Sequence, residues 1–260
     1  VNFSGLVRSS SALYSQSFGS LFVLFLPLGA AFFIALAPLL VFSGSEIKVA
    51  TNPSLATSLA VALLTVLPIV IGGIAVATAS LLITERLVGQ ETTAADALRK
   101  ARPRLGALFA AGLASSLFSI VLRLVVAPFA FFVHPLLYGP AILVQVIALE
   151  GADLKTGMTR AGELLRGDKL RVFMNLFAFS LAASLLDLLL PGFANLGLSA
   201  LTNDIIALIF STLSQIIVTA AIMPVVAVAM LVSYFDLRAR KEDLDLTELT
   251  AEREGGGYPG

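Results

Sequence analysis

The sequence predicts an all-α, polytopic helical membrane protein: six transmembrane helices in three hairpins, with interfacial amphipathic helices before the spans. Three observations predict it. Of 260 residues, 58% are hydrophobic and only 13% charged, too apolar a balance for an ordinary soluble domain. The apolar residues fall into uncharged runs at 18–43, 55–84, 105–122, 124–149, 172–186 and 205–235. Crossing the hydrocarbon layer takes about 20 such residues as a helix, whereas a barrel would show short alternating segments. Fifteen of the seventeen Lys and Arg sit in four places, at Arg8, Arg86–Arg104, Lys155–Arg171 and Arg238–Arg253.

That charge pattern sets the orientation. Basic segments stay on the cytoplasmic side, so both termini are expected there, with Lys48 on the opposite face. The predicted spans are 18–43, 55–84, 105–126, 128–149, 172–190 and 205–235, forming one domain over 1–249. Residues 250–260, ending in GGGYPG, read as a flexible cytoplasmic tail.

The first span follows Arg8 and is longer than a signal-peptide core, so it is expected to be retained. The second carries Pro68 and the small residues of GGIAVATAS, 72–80, suited to close helix packing. A tight turn near Ala127 and Pro128 separates the third and fourth spans, and GLASS at 112–116 again offers small residues. Pro140 and Pro224 interrupt the fourth and sixth spans. PGFANLGLSALTND, 191–204, is rich in breakers and reads as an external loop against the membrane surface. Trp is absent, leaving Tyr14 and Tyr234 as interfacial aromatics.

The two long basic segments overlay on each other. Glu85 and Phe109 bracket the first, Glu150 and Phe173 the second. Between them Ala94, Leu98, Ala101 and Leu105 repeat the spacing of Leu154, Met158, Ala161 and Leu165. Each set makes an apolar stripe on a helix, which predicts interfacial helices over 92–102 and 153–166. Gly167 ends the second, since glycine takes the left-handed cap conformation. Residues 2–22 read as a third, weaker copy ahead of the first span. Arg99, Lys100, Lys155, Arg160, Arg166, Lys169 and Arg171 are the candidate headgroup contacts, with the bilayer and its anionic phospholipids as partners. Other membrane proteins are further partners, and a net charge of zero gives no reason to expect nucleic acid.

The run Glu150…Gly157…Arg160-Ala161-Gly162-Glu163-Leu164…Gly167…Leu170-Arg171-Val172-Phe173, with the ending YFDLRARKEDLDL at 234–246, resembles a bacterial and archaeal group. These are six-span proteins similar to the membrane domain fused to some glycerophosphoryl diester phosphodiesterases, together with its stand-alone relatives. Gly162 stands where that group has an aromatic residue. The resemblance implies the six-span fold and the bacterial inner (cytoplasmic) membrane. It does not imply phosphodiesterase activity, because no stretch of this chain corresponds to the catalytic barrel.

Ionisable groups inside a membrane are default functional candidates, which singles out Arg123, His134 and Asp187 as a polar site. Against it, Arg123 reads as snorkelling to the outer headgroups and His134 as hydrogen-bonded beside Pro135. With no cysteine and a single histidine, no metal or cofactor is expected. No P-loop, Rossmann glycine set or HExxH is present, so an enzyme is not expected. The expected role is a non-catalytic scaffold or accessory subunit of a membrane assembly or envelope-maintenance system. The alternative is a small transporter or lipid-handling protein using Arg123, His134 and Asp187.

Overall fold

A computed structural model describes residues 3–42, 55–114, 139–199 and 204–242. Among them there are helices and short turns and no strand. The order is α1 (Phe3–Phe42), α2 (Leu55–Leu87), α3 (Ala94–Ala101), a 3₁₀ turn (Arg102–Arg104) and α4 over 105–114. Then come α5 (Gly139–Glu150), α6 (Leu154–Leu165), α7 (Lys169–Ser199) and α8 (Asp204–Glu242). Among the described residues, three stretches are long and apolar enough to cross a membrane: Ser10–Ala31, Val66–Leu87 and Thr212–Glu242.

The core gathers where α2, α5 and α8 end. Ile142, Val146, Ile147 and Ala148 on α5 are fully buried, as expected of a helix that is apolar on every face. Around them pack Leu82 and Ile83 of α2, Leu164 of α6, and Val228, Leu231 and Leu237 of α8. Small residues set the closest approaches. A Cβ on Gly112 would lie 3.2 Å from Val70 Cα, and one on Gly157 would lie 3.0 Å from Leu143 Cδ1. The tightest contact, between α1 and α8, puts Gly29 where a Cβ would come within 2.8 Å of the Ile216 carbonyl. Elsewhere Val23, Leu67, Leu113, Leu185, Leu189, Phe210, Leu213 and Ile217 point outward. So much exposed apolar surface suits hydrocarbon rather than water.

Several expectations are corrected. The external loop expected over 191–204 is helix through Ser199, because unpaired backbone groups are costly in lipid and a helix is held through Pro191. The N-terminal copy is not a separate surface helix; α1 runs unbroken through residues 17 and 18. Its serines do not stop it, since Ser11 and Ser15 donate to the carbonyls of Arg8 and Ala12 within the same helix. Neither tyrosine sits as an interfacial belt residue. Tyr14 donates to the Ala221 carbonyl at 2.6 Å, and Tyr234 is fully buried. Pro68 and Pro224 lie inside continuous helices, and Pro140 lies in the first turn of α5, where proline is tolerated. The turn at Ala127 and Pro128, Lys48 and the tail 250–260 lie outside the described residues.

Candidate functional site

The C-terminal ends of α2, α5 and α8 converge, and α3 and α6 cross over them. The C-terminal ends of helices carry negative partial charge and favour cations nearby. Arg104 answers directly, donating to the Ala148 carbonyl in the last turn of α5. Gly151 follows with φ of 72°, and a Cβ there would also lie 3.3 Å from Arg104 Nη2. Lys241 likewise donates to the carbonyl of Arg166.

The surface helices α3 and α6 are built alike. Thr93 caps α3 by accepting from the Asp96 N–H at 3.2 Å; Asp153 caps α6 by accepting from Thr156 N–H at 2.7 Å. These hydrogen bonds hold both first-turn carboxyls below the usual range: the Thr93 hydroxyl at Asp96, the Thr156 N–H at Asp153. Seven residues past each cap, a cation turns back to the glutamate that ends the preceding long helix. Lys100 reaches Glu85 at 2.8 Å, and Arg160 reaches Glu150 at 3.0 Å. The inward faces carry small residues, Ala97 and Ala101 on α3 and Gly157 and Ala161 on α6, where the larger Leu164 is buried beside them. Leu98 and Met158, expected within the apolar stripes, are instead exposed at 44% and 59%. Gly and Ala on the inner face let the short helix sit close on its neighbour, with Leu98 and Met158 turned outward.

Beyond this the two sites diverge. The second oxygen of Glu85 accepts from the Thr92 hydroxyl at 2.6 Å, within the same loop. The second oxygen of Glu150 accepts from the Tyr234 hydroxyl of α8 at 2.7 Å. Arg160 also pairs with Glu242, which Arg238 holds at 2.8 Å. The Arg238 guanidinium stands 5.9 Å from the centre of the Tyr234 ring. Burial opposes the charged form of Arg160, but the hydrogen bonds and charges of Glu150 and Glu242 more than offset it and raise its pKa. Beside this latch, Asp236 pairs with Arg171 at 3.0 Å and Arg240 at 3.1 Å, and Arg171 also meets Asp168 at 3.1 Å.

The expected headgroup cations therefore separate. Lys100, Arg160 and Arg171 pair with the acids named above. Arg160, expected on the polar outer side of its helix, is turned inward and only 29% exposed. Arg99 is exposed yet pairs with Asp96 at 3.5 Å, and Lys155 is exposed beside the Asp153 carboxylate. Arg166 and Lys169 are exposed. Of the intramembrane trio, Arg123 and His134 lie outside the described residues, and Asp187 is placed only as a backbone position on α7. No group of three or more His, Cys, Asp or Glu that could hold a metal occurs among the described residues.

Four features escaped the sequence reading. Tyr234 was assigned to the interface because tyrosine usually lies there, yet it anchors Glu150. Arg104 was one basic residue among several, and its placement under α5 depends on the tertiary fold. Gly29 occupies the closest helix contact without a motif around it. Gln145, fully buried on α5, has neither amide atom hydrogen-bonded among the described residues. An uncharged glutamine in an apolar run leaves no charge signal, so periodicity alone passes over it.

No protein-family model, curated protein or solved structure matches the chain. The fold and the site define an all-helical protein with helices able to cross a membrane and a charged end tied together by ion pairs.

Proposed function

We propose that the chain is a non-catalytic, six-span integral membrane protein with both termini cytoplasmic, serving as a scaffold or accessory subunit of a bacterial inner-membrane assembly. The observation that carries this reading is the pairing at the charged end. Glu85, Glu150, Asp236 and Glu242 each hold a Lys or Arg, so the chemistry gathered there joins helices to one another. An isolated acid or base, strongly perturbed in a cleft, would instead point to catalysis. The matching caps, glutamates and small inner residues of α3 and α6 support a duplicated unit of surface helix plus hairpin. The resemblance to the membrane domain of glycerophosphoryl diester phosphodiesterases and its stand-alone relatives agrees with this layout. Purification from native membranes under mild detergent tests the role: a protein partner recovered in fixed stoichiometry is expected. A homogeneous chain that instead moves a solute in proteoliposomes would overturn it. Labelling of single cysteines at positions 48 and 155 tests the topology, which requires them on opposite faces.

A second reading, the small transporter or lipid-handling protein, has one observation in its favour. A fully buried Gln145 with no hydrogen-bond partner among the described residues is costly in an apolar bundle, and such groups mark polar pathways. If that reading holds, Gln145→Leu abolishes transport while leaving the fold intact. As a scaffold, the same variant is neutral or stabilising.

A further inference from the structure

The seven cations that the sequence offers to lipid are not equivalent, and their surroundings choose between them. Four pair with an acid, Lys100 with Glu85, Arg160 with Glu150 and Glu242, Arg171 with Asp168 and Asp236, and Arg99 with Asp96, while Lys155 lies two residues from Asp153, whose ionised form its charge favours. Arg166 and Lys169, at the corner between α6 and α7, are exposed and stand in no ion pair among the described residues. Glu163 is exposed three residues before Arg166 and makes no ion pair with it. Asp168, between the two cations, is taken by Arg171. Gly167, at φ 89°, turns the chain tightly enough to bring both cations to one corner. Directly after them, Leu170 is 74% exposed and Met174 54% exposed, on the first turns of a 31-residue helix. A cation pair with no ion-pair partner among the described residues, above an outward apolar ledge, matches the profile of a leaflet surface, phosphate above and acyl chain below.

We infer that Arg166, Lys169, Leu170 and Met174 form the contact by which this end of the protein recognises the anionic phospholipids of one leaflet. Arg99, Lys100, Lys155, Arg160 and Arg171 serve the protein's own carboxylates. The inference rests on the reading that α7 crosses the membrane with this corner at its surface. A guanidinium fork and a mobile ammonium both suit phosphate oxygens, the first bidentate and the second as a point charge. With no ion-pair partner for either among the described residues, the attraction selects net negative charge over zwitterionic headgroups.

The test uses the full chain in nanodiscs of phosphatidylcholine, with and without phosphatidylglycerol. Phosphatidylglycerol enrichment is read from the lipids retained around the protein. Arg166→Gln with Lys169→Gln should lower that enrichment by about 25-fold, at roughly fivefold per cation near a charged surface. Arg99→Gln with Lys155→Gln should change it by less than about twofold, because an acid already lies near each. Equal losses from the two pairs, or no preference for phosphatidylglycerol in the parent protein, overturn the inference. Inorganic phosphate added to the phosphatidylglycerol-containing discs should not compete; full competition would mean a free-anion site and would also overturn it. A bromolipid-quenched probe at position 174 separates the underlying reading. A probe in water there refutes the membrane placement itself, whereas an immersed probe without charge selectivity refutes the lipid contact alone.

Discussion

The segments 85–109 and 150–173 begin from the same plan and end with different reach. Each has a capped surface helix, small residues on its inner face and a cation turned back to a glutamate, buried at Glu85 and partly buried at Glu150. In the first, a lysine and a threonine of the same segment bind Glu85, and other residues reach neighbouring helices: Arg86 donates to Ser20 of α1 and Arg104 to the Ala148 carbonyl of α5. In the second, an arginine replaces the lysine, and a guanidinium with several donors can hold two carboxylates where an ammonium acts as a single point charge. Arg160 thereby joins Glu150 to Glu242, and Tyr234 adds a second tie to α8. The difference teaches that one residue type, at one matching position, decides whether the cation that meets the glutamate also reaches α8.

The largest expected effect breaks that latch. Arg160→Ala should cost about 3 kcal/mol, because it leaves two partly buried carboxylates near one another. Lys100→Ala should cost less, about 2 kcal/mol: the Glu85 carboxylate it leaves is nearly buried, but the ammonium is half in water and Glu85 keeps the Thr92 hydroxyl. Unfolding in a graded detergent series compares them, and equal losses would erase the distinction drawn here. Next comes packing. Gly157→Leu should cost about 2 kcal/mol by lifting α6 from Leu143 and Ile147. Loss of the Arg160 ion pairs should accompany it, visible as faster amide exchange over 154–165.

A smaller effect sharpens the comparison. Tyr234→Phe keeps the buried ring and removes one hydrogen bond, so about 1 kcal/mol is expected. Nothing comparable should follow from Thr92→Val at the neutral-pH stability of α8, since that hydroxyl ties no other helix. The smallest effect concerns pH. Asp96 and Asp153 have carboxyls held below their ordinary range by Thr93 and Thr156, so the folded state favours their ionised forms. Their stabilisation is present above about pH 4 and is lost as pH falls through the lower folded values. The first turns of α3 and α6 should therefore fray together in acid, measured as exchange at residues 94–97 and 154–157. Fraying at alkaline pH would run against the sign of both shifts.

How far the sequence carried this structure depended on whether a feature is local. Long apolar runs announced α2 and α8, and the glycine that ends α6, Gly167, was readable beside its periodic stripe. The positions of α3 and α6 followed from the same periodicity within about two residues. The facing of those helices did not, because Leu98 and Met158 are larger than the gap that Ala97 and Gly157 fill. Breaker residues misled at 191–199, where an apolar surrounding penalises open backbone more than proline strains a helix. Partners distant in sequence were invisible: Arg160 and Glu242, Tyr234 and Glu150, and Arg104 and Ala148 meet only through the tertiary fold.

The latch between α6 and α8 is most directly tested by a double-mutant cycle on Arg160 and Glu242, measured in reconstituted bilayers. Combining Arg160→Gln with Glu242→Gln should reveal a coupling of about 1–2 kcal/mol, as expected of partly buried partners in one network. Additive losses, with coupling below about 0.3 kcal/mol, would mean that α6 and α8 are neighbours without a latch, contradicting a scaffold held together at its charged end.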